Sequence, residues 1–304
     1  MHRLSGALLM VWWSCAPPVE APPDAGVEPP RLRARAATFN TLRFFDTVCD
    51  TGACAAGDYE AQPTQERFDA RAAQLANAID GFGADLVSLQ EVETQACLDA
   101  LQVRLQRAMP HAVLGELGTP ASVDVAIFSR TSLESVITHR AQTPLTRPDG
   151  TTTSFSRELL EVHTLVEGRR VILFAAHFRS KVNDDAGRRL AEAQATRRLV
   201  LAAAEAHPGA LVLLGGDLND TPGSAPLEAL EEGGRLVRAA ADLPVDEQVT
   251  WASGTLREAI DHLYQAVDDA VAPVPRSARS WKEGARGFAG SDHFALTAEW
   301  EFEP

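Results

Sequence analysis

The sequence has few basic residues and almost no lysine. It contains 28 lysine and arginine residues against 42 aspartate and glutamate residues, which gives a formal net charge of −14, and only Lys181 and Lys282 are lysines. A protein that holds nucleic acid mainly through its overall charge is expected to be basic. The composition therefore argues against a high-affinity DNA-binding module. It leaves open an enzyme that uses local arginines and bound cations.

Long hydrophobic runs and zinc-type cysteine spacings are also absent from the sequence beyond residue 30. Cys49 and Cys54 bracket a short glycine-containing turn, so a disulfide between them is expected if the protein is exported. Cys97 is then left without a partner. We expect it to be a buried thiol on a helix.

The first 32 residues have the composition of an export signal and a tether. A basic start and a short apolar run ending at Trp13 are too brief to span a bilayer, and they predict a signal peptide of the lipoprotein type over 1–15. Lipidation of Cys15 would place a bacterial protein at the outer membrane, while a soluble extracellular form and an uncleaved segment are the alternatives. The proline-rich stretch 16–32 predicts an extended tether, and 33–304 a single domain.

From residue 33 the pattern alternates between strands and helices. Strands are predicted at 34–40, 85–90, 123–128, 159–166, 170–176, 211–214, 259–267 and 294–302, and helices at 63–80, 94–109 and 185–206. Glu167-Gly168 is typical of a hairpin turn, so a purely parallel sheet is not expected. The elements predict an α/β fold with two mixed β-sheets packed face to face and flanked by helices.

Polar residues stand at the ends of several of these apolar strands. They are Asn40, Glu91, His177, Asp217 with Asn219, Asp261, and Asp292 with His293. Such residues gather at one edge of a sheet, where metal and phosphate chemistry is usually assembled. Their carboxylate and amide oxygens suit a hard cation such as Mg²⁺ or Ca²⁺. Gly215 and Gly216 predict a tight loop that presents Asp217 and Asn219 together.

Alone, each motif also fits a structural role, but their order resembles that of the endonuclease/exonuclease/phosphatase superfamily. The matching motifs are Thr38-Phe39-Asn40, Leu89-Gln90-Glu91, Ser156-Arg157-Glu158, His177, Gly216-Asp217-Leu218-Asn219, Ile260-Asp261-His262 and Ser291-Asp292-His293. The resemblance covers nearly the whole chain from residue 33. It implies a four-layer α/β sandwich and a metal-dependent phosphodiesterase.

The resemblance also implies which residues bind the metal. Glu91 would be the principal ligand, with Asn40 nearby and Asp292 completing the ligand shell through water. Mg²⁺ is the expected ion, and Ca²⁺ and Mn²⁺ are alternatives. Asp217 and Asn219 would position the attacking water and the scissile phosphate.

Three further roles follow from the same resemblance. His293 and Asp261 would form a hydrogen-bonded pair in which the carboxylate fixes the tautomer of the imidazole and raises its basicity. His177 would protonate the leaving oxygen, and Arg157 would lie near the phosphate.

The segment after His177 bears on the substrate. His177-Phe178-Arg179-Ser180-Lys181 is similar to the His-Phe-Lys-Ser-Lys segment of bacterial extracellular nucleases of this superfamily. Arg179 and Lys181 would form a phosphate clamp on an otherwise acidic protein, and a solvated loop is the alternative. A DNA or RNA nuclease is therefore predicted, with no obligate protein partner. The alternatives are a sphingomyelinase-like enzyme acting on lipid headgroups or small organophosphates, and a catalytically silent surface binding protein.

Overall fold

The computed structural model describes residues 31–284 and 286–303. The signal peptide over 1–15, the lipidation of Cys15 and nearly all of the tether over 16–32 lie outside the described residues and stay predictions. Among the described helices, none has the length and apolar character needed to cross a membrane.

The described chain folds into helices and strands that alternate as the sequence predicts. The strands are β1 (Arg33–Phe44), β2 (Leu86–Val92), β3 (His111–Gly115), β4 (Asp124–Ser129), β5 (Leu133–Thr138), β6 (Leu145–Thr146), β7 (Thr152–Thr153), β8 (Leu160–Val166), β9 (Arg169–His177), β10 (Leu211–Asp217), β11 (Leu236–Arg238), β12 (Trp251–Ser253), β13 (Leu256–Glu258), β14 (Asp261–Ala266), β15 (Val271–Pro273), β16 (Arg279–Trp281) and β17 (Ala295–Phe302). The α-helices are α1 (Gln65–Phe82), α2 (Gln95–Gln102), α3 (Ala186–Ala206) and α4 (Ala225–Glu231).

Most strands belong to two mixed sheets. The first sheet has the order β15-β17-β1-β2-β4-β3, with β16 also paired to β17, and the second has the order β11-β14-β10-β9-β8-β5. Each sheet contains a parallel pair, β1 with β2 and β9 with β10, flanked by antiparallel neighbours. The prediction of an α/β fold with two mixed sheets is confirmed.

The two sheets pack face to face, and helices cover their outer faces. Ala36 and Leu86 of the first sheet belong to the same buried cluster as Leu173 and Leu213 of the second. A second cluster joins α1 and α2 to the outer face of the first sheet, and a third joins α3 and α4 to that of the second. This is the predicted four-layer sandwich, because each layer buries the apolar face of its neighbour.

The helix boundaries differ from the predicted ones where contacts distant in sequence intervene. Thr64 and Thr94 cap α1 and α2 as expected. However, α2 ends at Gln102 and does not continue to 109. The carboxylate of Asp80 on α1 accepts hydrogen bonds from the backbone N–H groups of Gln106 and Arg107, both at 2.8 Å, and so directs this segment away from a helical path.

The prediction of a glycine loop at 215–216 is wrong, because both glycines lie within β10. A Cβ atom on Gly216 would lie 2.0 Å from the carbonyl oxygen of Ala176 on the neighbouring strand β9. Glycine is needed there so that the two strands can approach closely. This approach places Asp217 directly opposite His177.

The cysteines adopt the arrangement expected from their spacing. Cys49 and Cys54 form a disulfide, and Cys97 is a free thiol buried on α2. Burial raises the pKa of Cys97 to about 12, and its Sγ donates to the carbonyl oxygen of Phe44. It is therefore an inert core thiol.

Candidate active site

The predicted polar residues meet at one edge of the two packed sheets. Asn40, His177 and Asp217 lie at or near the carboxyl ends of β1, β9 and β10. Asp261 begins β14 and His293 precedes β17, and these strands run antiparallel to β10 and β1. Residues that precede an antiparallel strand reach the same edge as residues that end its neighbour, so all five belong to one site.

The amide of Asn40 links the two sheets at this edge. Its Nδ2 donates to Oε1 of Glu91 at 3.2 Å and to Oδ2 of Asp217 at 3.0 Å. Its Oδ1 accepts from the backbone N–H of Leu42 at 3.0 Å, which holds the amide orientation. One carboxylate from each sheet is thereby held beside the same side chain.

A bulge in β2 directs Glu91 toward the site. Leu89 packs in the cluster beneath the helices, so regular alternation would place Glu91 on that outer face. Instead Glu91 has φ 64°, and the strand register shifts between Gln90 and Val92. The extra residue turns the Glu91 carboxylate toward Asn40, and Oε2 accepts from the backbone N–H of Arg43 at 2.8 Å.

Asn219 is held beside Asp217 by a left-handed backbone conformation. Its φ is 53°, and its N–H donates to Oδ1 of Asp217 at 2.9 Å. Its side-chain amide donates to the carbonyl oxygen of Phe178 at 3.1 Å. The structure thus brings these two residues together as predicted, through an Asx turn rather than a glycine loop.

The predicted pair of His293 and Asp261 is present. Nδ1 of His293 lies 2.9 Å from Oδ2 of Asp261, and Nε2 lies 3.9 Å from Oδ2 of Asp217. Burial lowers the pKa of His293, but the neighbouring charge and hydrogen bond of Asp261 outweigh it and raise this pKa to about 10. His293 is therefore an imidazolium at neutral pH in the free protein.

His177 has the opposite electrostatic character. Its Nε2 lies 3.6 Å from Oδ2 of Asp217, and its Nδ1 has no hydrogen bond to any described residue. The pKa of His177 is lowered well below its usual value. Burial is the largest cause, and the positive charges of Arg157 and His293 add to it. The two histidines thus flank one carboxylate oxygen, one neutral and the other charged.

Asp217 is the central acid of the site. It is buried, and burial together with the charge of Asp261 raises its pKa to about 7. One ligand atom from each of Asp217, Asp261 and His293 lies within 4.8 Å of the others. A buried carboxyl with a pKa near neutrality is well suited to accept a proton.

The edge offers the oxygen ligands that a divalent cation prefers. Glu91 contributes a carboxylate. Asn40 turns its Nδ2 toward Glu91 and its Oδ1 toward the N–H of Leu42, so its oxygen would reach a cation only through a water molecule or after the amide rotates. Oδ2 of Asp292 accepts from the indole N–H of Trp251 at 3.0 Å. Oδ1 is buried without a hydrogen bond to a described residue and lies 3.9 Å from Nε2 of His293. A buried carboxylate oxygen without a donor is unfavourable unless a cation or water satisfies it. This donor set fits Mg²⁺, Mn²⁺ or Ca²⁺.

The three predicted substrate-binding residues differ in their surroundings. Arg157 is half-buried, lies close enough to depress the pKa of His177, and forms no salt bridge within the described chain. The guanidinium of Arg179 donates to the carbonyl oxygen of Asn183 at 2.8 Å. Nζ of Lys181 lies 3.4 Å from Oδ1 of Asp220 and 3.7 Å from Oε2 of Glu258. The proposed clamp therefore already has partners within the protein.

Glu192 on α3 is a site-supporting residue that the sequence analysis did not identify. It is fully buried, and its two oxygens accept from the backbone N–H groups of Ser156 at 2.6 Å and Arg179 at 2.7 Å. It thereby fastens the segment carrying Arg157 to the segment following His177. Its sequence neighbours are alanines in an ordinary helical pattern, so no sequence signal distinguishes it from a surface glutamate.

Comparisons with known proteins bear on the family and the fold of the chain. A family model described as Endonuclease/Exonuclease/phosphatase family matches residues 37–293. A search of curated proteins finds no match. Three solved structures have TM-scores of 0.59 to 0.63 and show the shared fold.

The first is D. rerio TDP2 complexed with single strand DNA product (16% identity; 88% of this chain and 98% of that chain; TM-score 0.59). The second is the human Nocturnin catalytic domain with bound sulfate (17% identity; 90% of this chain and 96% of that chain; TM-score 0.62). The third is an endonuclease/exonuclease/phosphatase from Bacteroides vulgatus (17% identity; 90% of this chain and 100% of that chain; TM-score 0.63).

Proposed function

Because the chain belongs to the endonuclease/exonuclease/phosphatase family and is a phosphoric ester hydrolase, we propose that it is a nuclease that cleaves phosphodiester bonds in DNA or RNA. The observation that carries the hydrolytic chemistry is the environment of Asp217 Oδ2. This oxygen accepts from Asn40 and lies within 3.9 Å of Nε2 of both His177 and His293. Such convergence of an acid, an amide and two imidazoles serves attack by water on phosphorus.

The protonation state of each residue determines its proposed role in the reaction. Asp217, with Asn219 fixed beside it, accepts the proton of the attacking water. His293, held by Asp261, donates a hydrogen bond from Nε2 to a phosphate oxygen. His293 already carries a proton at neutral pH in the free protein, in keeping with the raised basicity that the resemblance implies for a histidine paired with Asp261. His177 is neutral in the free protein, so it protonates the leaving oxygen only after it gains a proton. Its Nε2 lies 3.6 Å from Oδ2 of Asp217, so the proton that Asp217 takes from the water can pass to His177 and then to the leaving oxygen.

A divalent cation, when bound by Glu91 with Asn40 and Asp292, would stabilise the negative charge that builds on the phosphate oxygens. We propose Mg²⁺ as this ion, with Ca²⁺ and Mn²⁺ as alternatives. The carboxylate oxygens of Glu91 and Asp292 support a hard cation, and Oδ1 of Asp292 has no hydrogen bond to a described residue.

A groove beside the metal-binding edge supports a polymeric substrate. It has a volume of about 490 Å³, and Arg43, Arg67 and Arg71 are among the residues that line it. The guanidinium of Arg43 lies 4.9 Å from the ring centroid of the exposed Tyr59, and the backbone of Arg43 donates to Glu91. Aromatic rings and arginines together bind the bases and phosphates of single strands. The DNA product in the structure of D. rerio TDP2 adds support from a similar fold.

Two alternative functions are distinguished from a nuclease by the substrate test described below. Hydrolysis of lipid headgroups or small organophosphates would use the same reacting centre without the groove. A catalytically silent binding protein would not need the complete set of acid, amide and imidazole groups at the edge. That completeness supports an enzyme.

The test is a substrate panel with purified residues 31–304, which contain every described helix and strand. Plasmid DNA, RNA, sphingomyelin and a chromogenic phosphodiester would be assayed with Mg²⁺, Mn²⁺ and Ca²⁺ in turn. Asp217→Asn serves as the inactive control. We expect DNA or RNA to be cleaved in preference to the small diester. Preferential turnover of sphingomyelin would overturn the nuclease assignment, and no turnover of any substrate would favour the silent protein.

We further propose that the protein is exported and anchored through Cys15. The basic and apolar start of the sequence supports export, and so does the Cys49–Cys54 disulfide, since disulfides persist in oxidising compartments. Cys15→Ala should move the protein out of the membrane fraction. Unchanged fractionation would contradict the proposed lipid anchor but would not affect the assignment of the protein as a hydrolase.

A further inference from the structure

A second group of carboxylates lies apart from the catalytic edge, under the loop closed by the Cys49–Cys54 disulfide. One oxygen from each of Asp50, Glu60 and Glu93 lies within 4.8 Å of the others. Asp46 and Glu93 likewise lie together, with the thiol of Cys97 as the third member of that group. The thiol is protonated and donates to Phe44, so only the carboxylates are available as ligands.

Two of these carboxylates are almost completely buried. Glu60 is 1% exposed, and its oxygens accept from the backbone N–H groups of Asp50 at 2.6 Å and Thr51 at 2.8 Å. Glu93 is 2% exposed, and its Oε2 accepts from the backbone N–H of Asp46 at 2.8 Å. Its Oε1 is buried with no hydrogen bond to any described residue.

No cationic side chain offsets this concentration of negative charge. None of Asp46, Asp50, Glu60 and Glu93 forms a salt bridge with another described residue, although the chain has many such pairs elsewhere. Converging carboxylates repel each other, and a buried oxygen without a donor loses its hydration without compensation. A metal ion between the carboxylates would relieve this repulsion and give the unpaired Oε1 of Glu93 a partner.

The spacing lies within the reach of a single calcium ion. Ca²⁺ binds oxygens at about 2.3–2.6 Å, so two ligands of one ion lie no more than about 5 Å apart. The three carboxylates meet this limit, and the exposed Asp50 leaves one side of the site open to water. Ca²⁺ also accepts the irregular geometry of a loop more readily than Mg²⁺ does.

We propose that Asp50, Glu60 and Glu93 bind a Ca²⁺ ion that fixes the disulfide loop onto the end of β2. Glu93 lies two residues after Glu91 in the sequence. The loop also carries Tyr59, whose ring stacks with Arg43 beside the metal-binding edge. The ion would therefore hold Tyr59 in place beside the groove that Arg43, Arg67 and Arg71 line, without taking part in the reaction. It is distinct from the catalytic cation in its ligands.

The test measures Ca²⁺ binding to the full chain by isothermal titration calorimetry in a Glu91→Gln background, which weakens the catalytic cation site. We expect saturable binding there. Adding Asp50→Asn should weaken Ca²⁺ affinity by about tenfold or more, because a charged ligand is lost. Adding Glu66→Gln, an exposed acid on α1, serves as the matched control and should change nothing. Binding that is absent in the Glu91→Gln parent, or equal in all three proteins, would overturn the proposal.

Glu93→Gln gives an independent readout that does not depend on affinity. It removes one of the repelling charges, so the melting temperature measured with a chelator should rise, while the further rise on adding Ca²⁺ should disappear. In the unsubstituted protein, Ca²⁺ should also slow proteolysis within 45–62. If Glu93→Gln keeps the full Ca²⁺-induced rise in melting temperature, or Ca²⁺ leaves proteolysis of the loop unchanged, the site does not exist as described.

Discussion

Nδ2 of Asn40 lies 3.0 Å from Oδ2 of Asp217, so a single amide joins the two sheets at the catalytic edge. The same nitrogen donates to Glu91, which links the proposed metal ligand to the proposed base. The distance between these two carboxylates is therefore set by how the sheets pack and not by a flexible loop. A site built on strands in this way is held more precisely than one built on loops.

Glu91→Gln should abolish turnover while leaving the fold intact. Glutamine has nearly the same shape and can keep the bond to Arg43, but it lacks the charge that binds the cation. We expect a weaker cation affinity and a loss of activity of about 100-fold or more, measured by activity across a Mg²⁺ titration, with circular dichroism to check the fold.

Glu167→Gln is the matched control for this substitution, because Glu167 is a non-catalytic glutamate that also has a positive φ, of 50°. It should keep full activity. Near-normal activity of Glu91→Gln at saturating Mg²⁺ would remove Glu91 from the metal site.

Gly216→Ala should destabilise the protein far more than Gly187→Ala. The new Cβ at 216 would clash with the carbonyl oxygen of Ala176, so we expect the free energy of unfolding to fall by about 3 kcal/mol or more. Gly187 lies in α3, where a Cβ would meet its nearest neighbour at 3.6 Å, and alanine should raise stability by about 0.5–1 kcal/mol. Urea unfolding of both variants tests this. Equal effects would mean that β9 and β10 do not approach so closely.

The sequence predicted the strands that end in catalytic residues, because apolar runs and their polar ends are local signals. It did not predict the edge strands β3 and β5, whose residues are mostly half-buried or exposed and lack a continuous apolar run. Two features of the site arise from contacts that no local pattern reports. The bulge at Glu91 reverses the face expected from alternation, and Glu192 is buried by segments distant in sequence.

His262 should make the protein less stable at acid pH. It lies buried on β14, and its Nε2 is 3.0 Å from the carbonyl oxygen of Asp220. Burial is the main cause that lowers the pKa of His262 to about 4. The unfolded chain, with a pKa near 6.5, binds the proton more readily, so the contribution to stability is complete above about pH 6.5 and is lost as the pH falls toward 4.

The size of this loss is about 3 kcal/mol, from about 1.4 kcal/mol for each unit of difference between the two pKa values. Urea unfolding at pH 4.5 and 7.5 measures it. His262→Gln should make the difference between the two pH values smaller by about 2–3 kcal/mol, whereas His111→Gln, on the edge strand β3, should not. An unchanged pH dependence in His262→Gln would show that other buried groups cause the acid sensitivity.

The clamp formed by Arg179 and Lys181 should affect long substrates more than short ones. Both side chains already have partners, since Lys181 faces Asp220 and Glu258 and Arg179 bonds to its own loop. Binding to DNA would exchange these partners for phosphates that flank the scissile one. Arg179→Ala with Lys181→Ala should then raise KM for DNA by about threefold to tenfold and reduce the salt slope of binding by about 1.4–1.8.

Turnover of a small chromogenic diester by the same double variant should change much less, because it presents no flanking phosphates. Arg198→Ala with Arg276→Ala, which removes two other exposed cations, controls for the change in net charge. An equal loss on both substrates would place the clamp on the reacting phosphate and remove this reason to prefer a nuclease. No change on either would make the segment an ordinary solvated loop. Both substrates must be compared at the same metal concentration and ionic strength, since screening over about 10 Å at 0.1 M salt could otherwise imitate the effect.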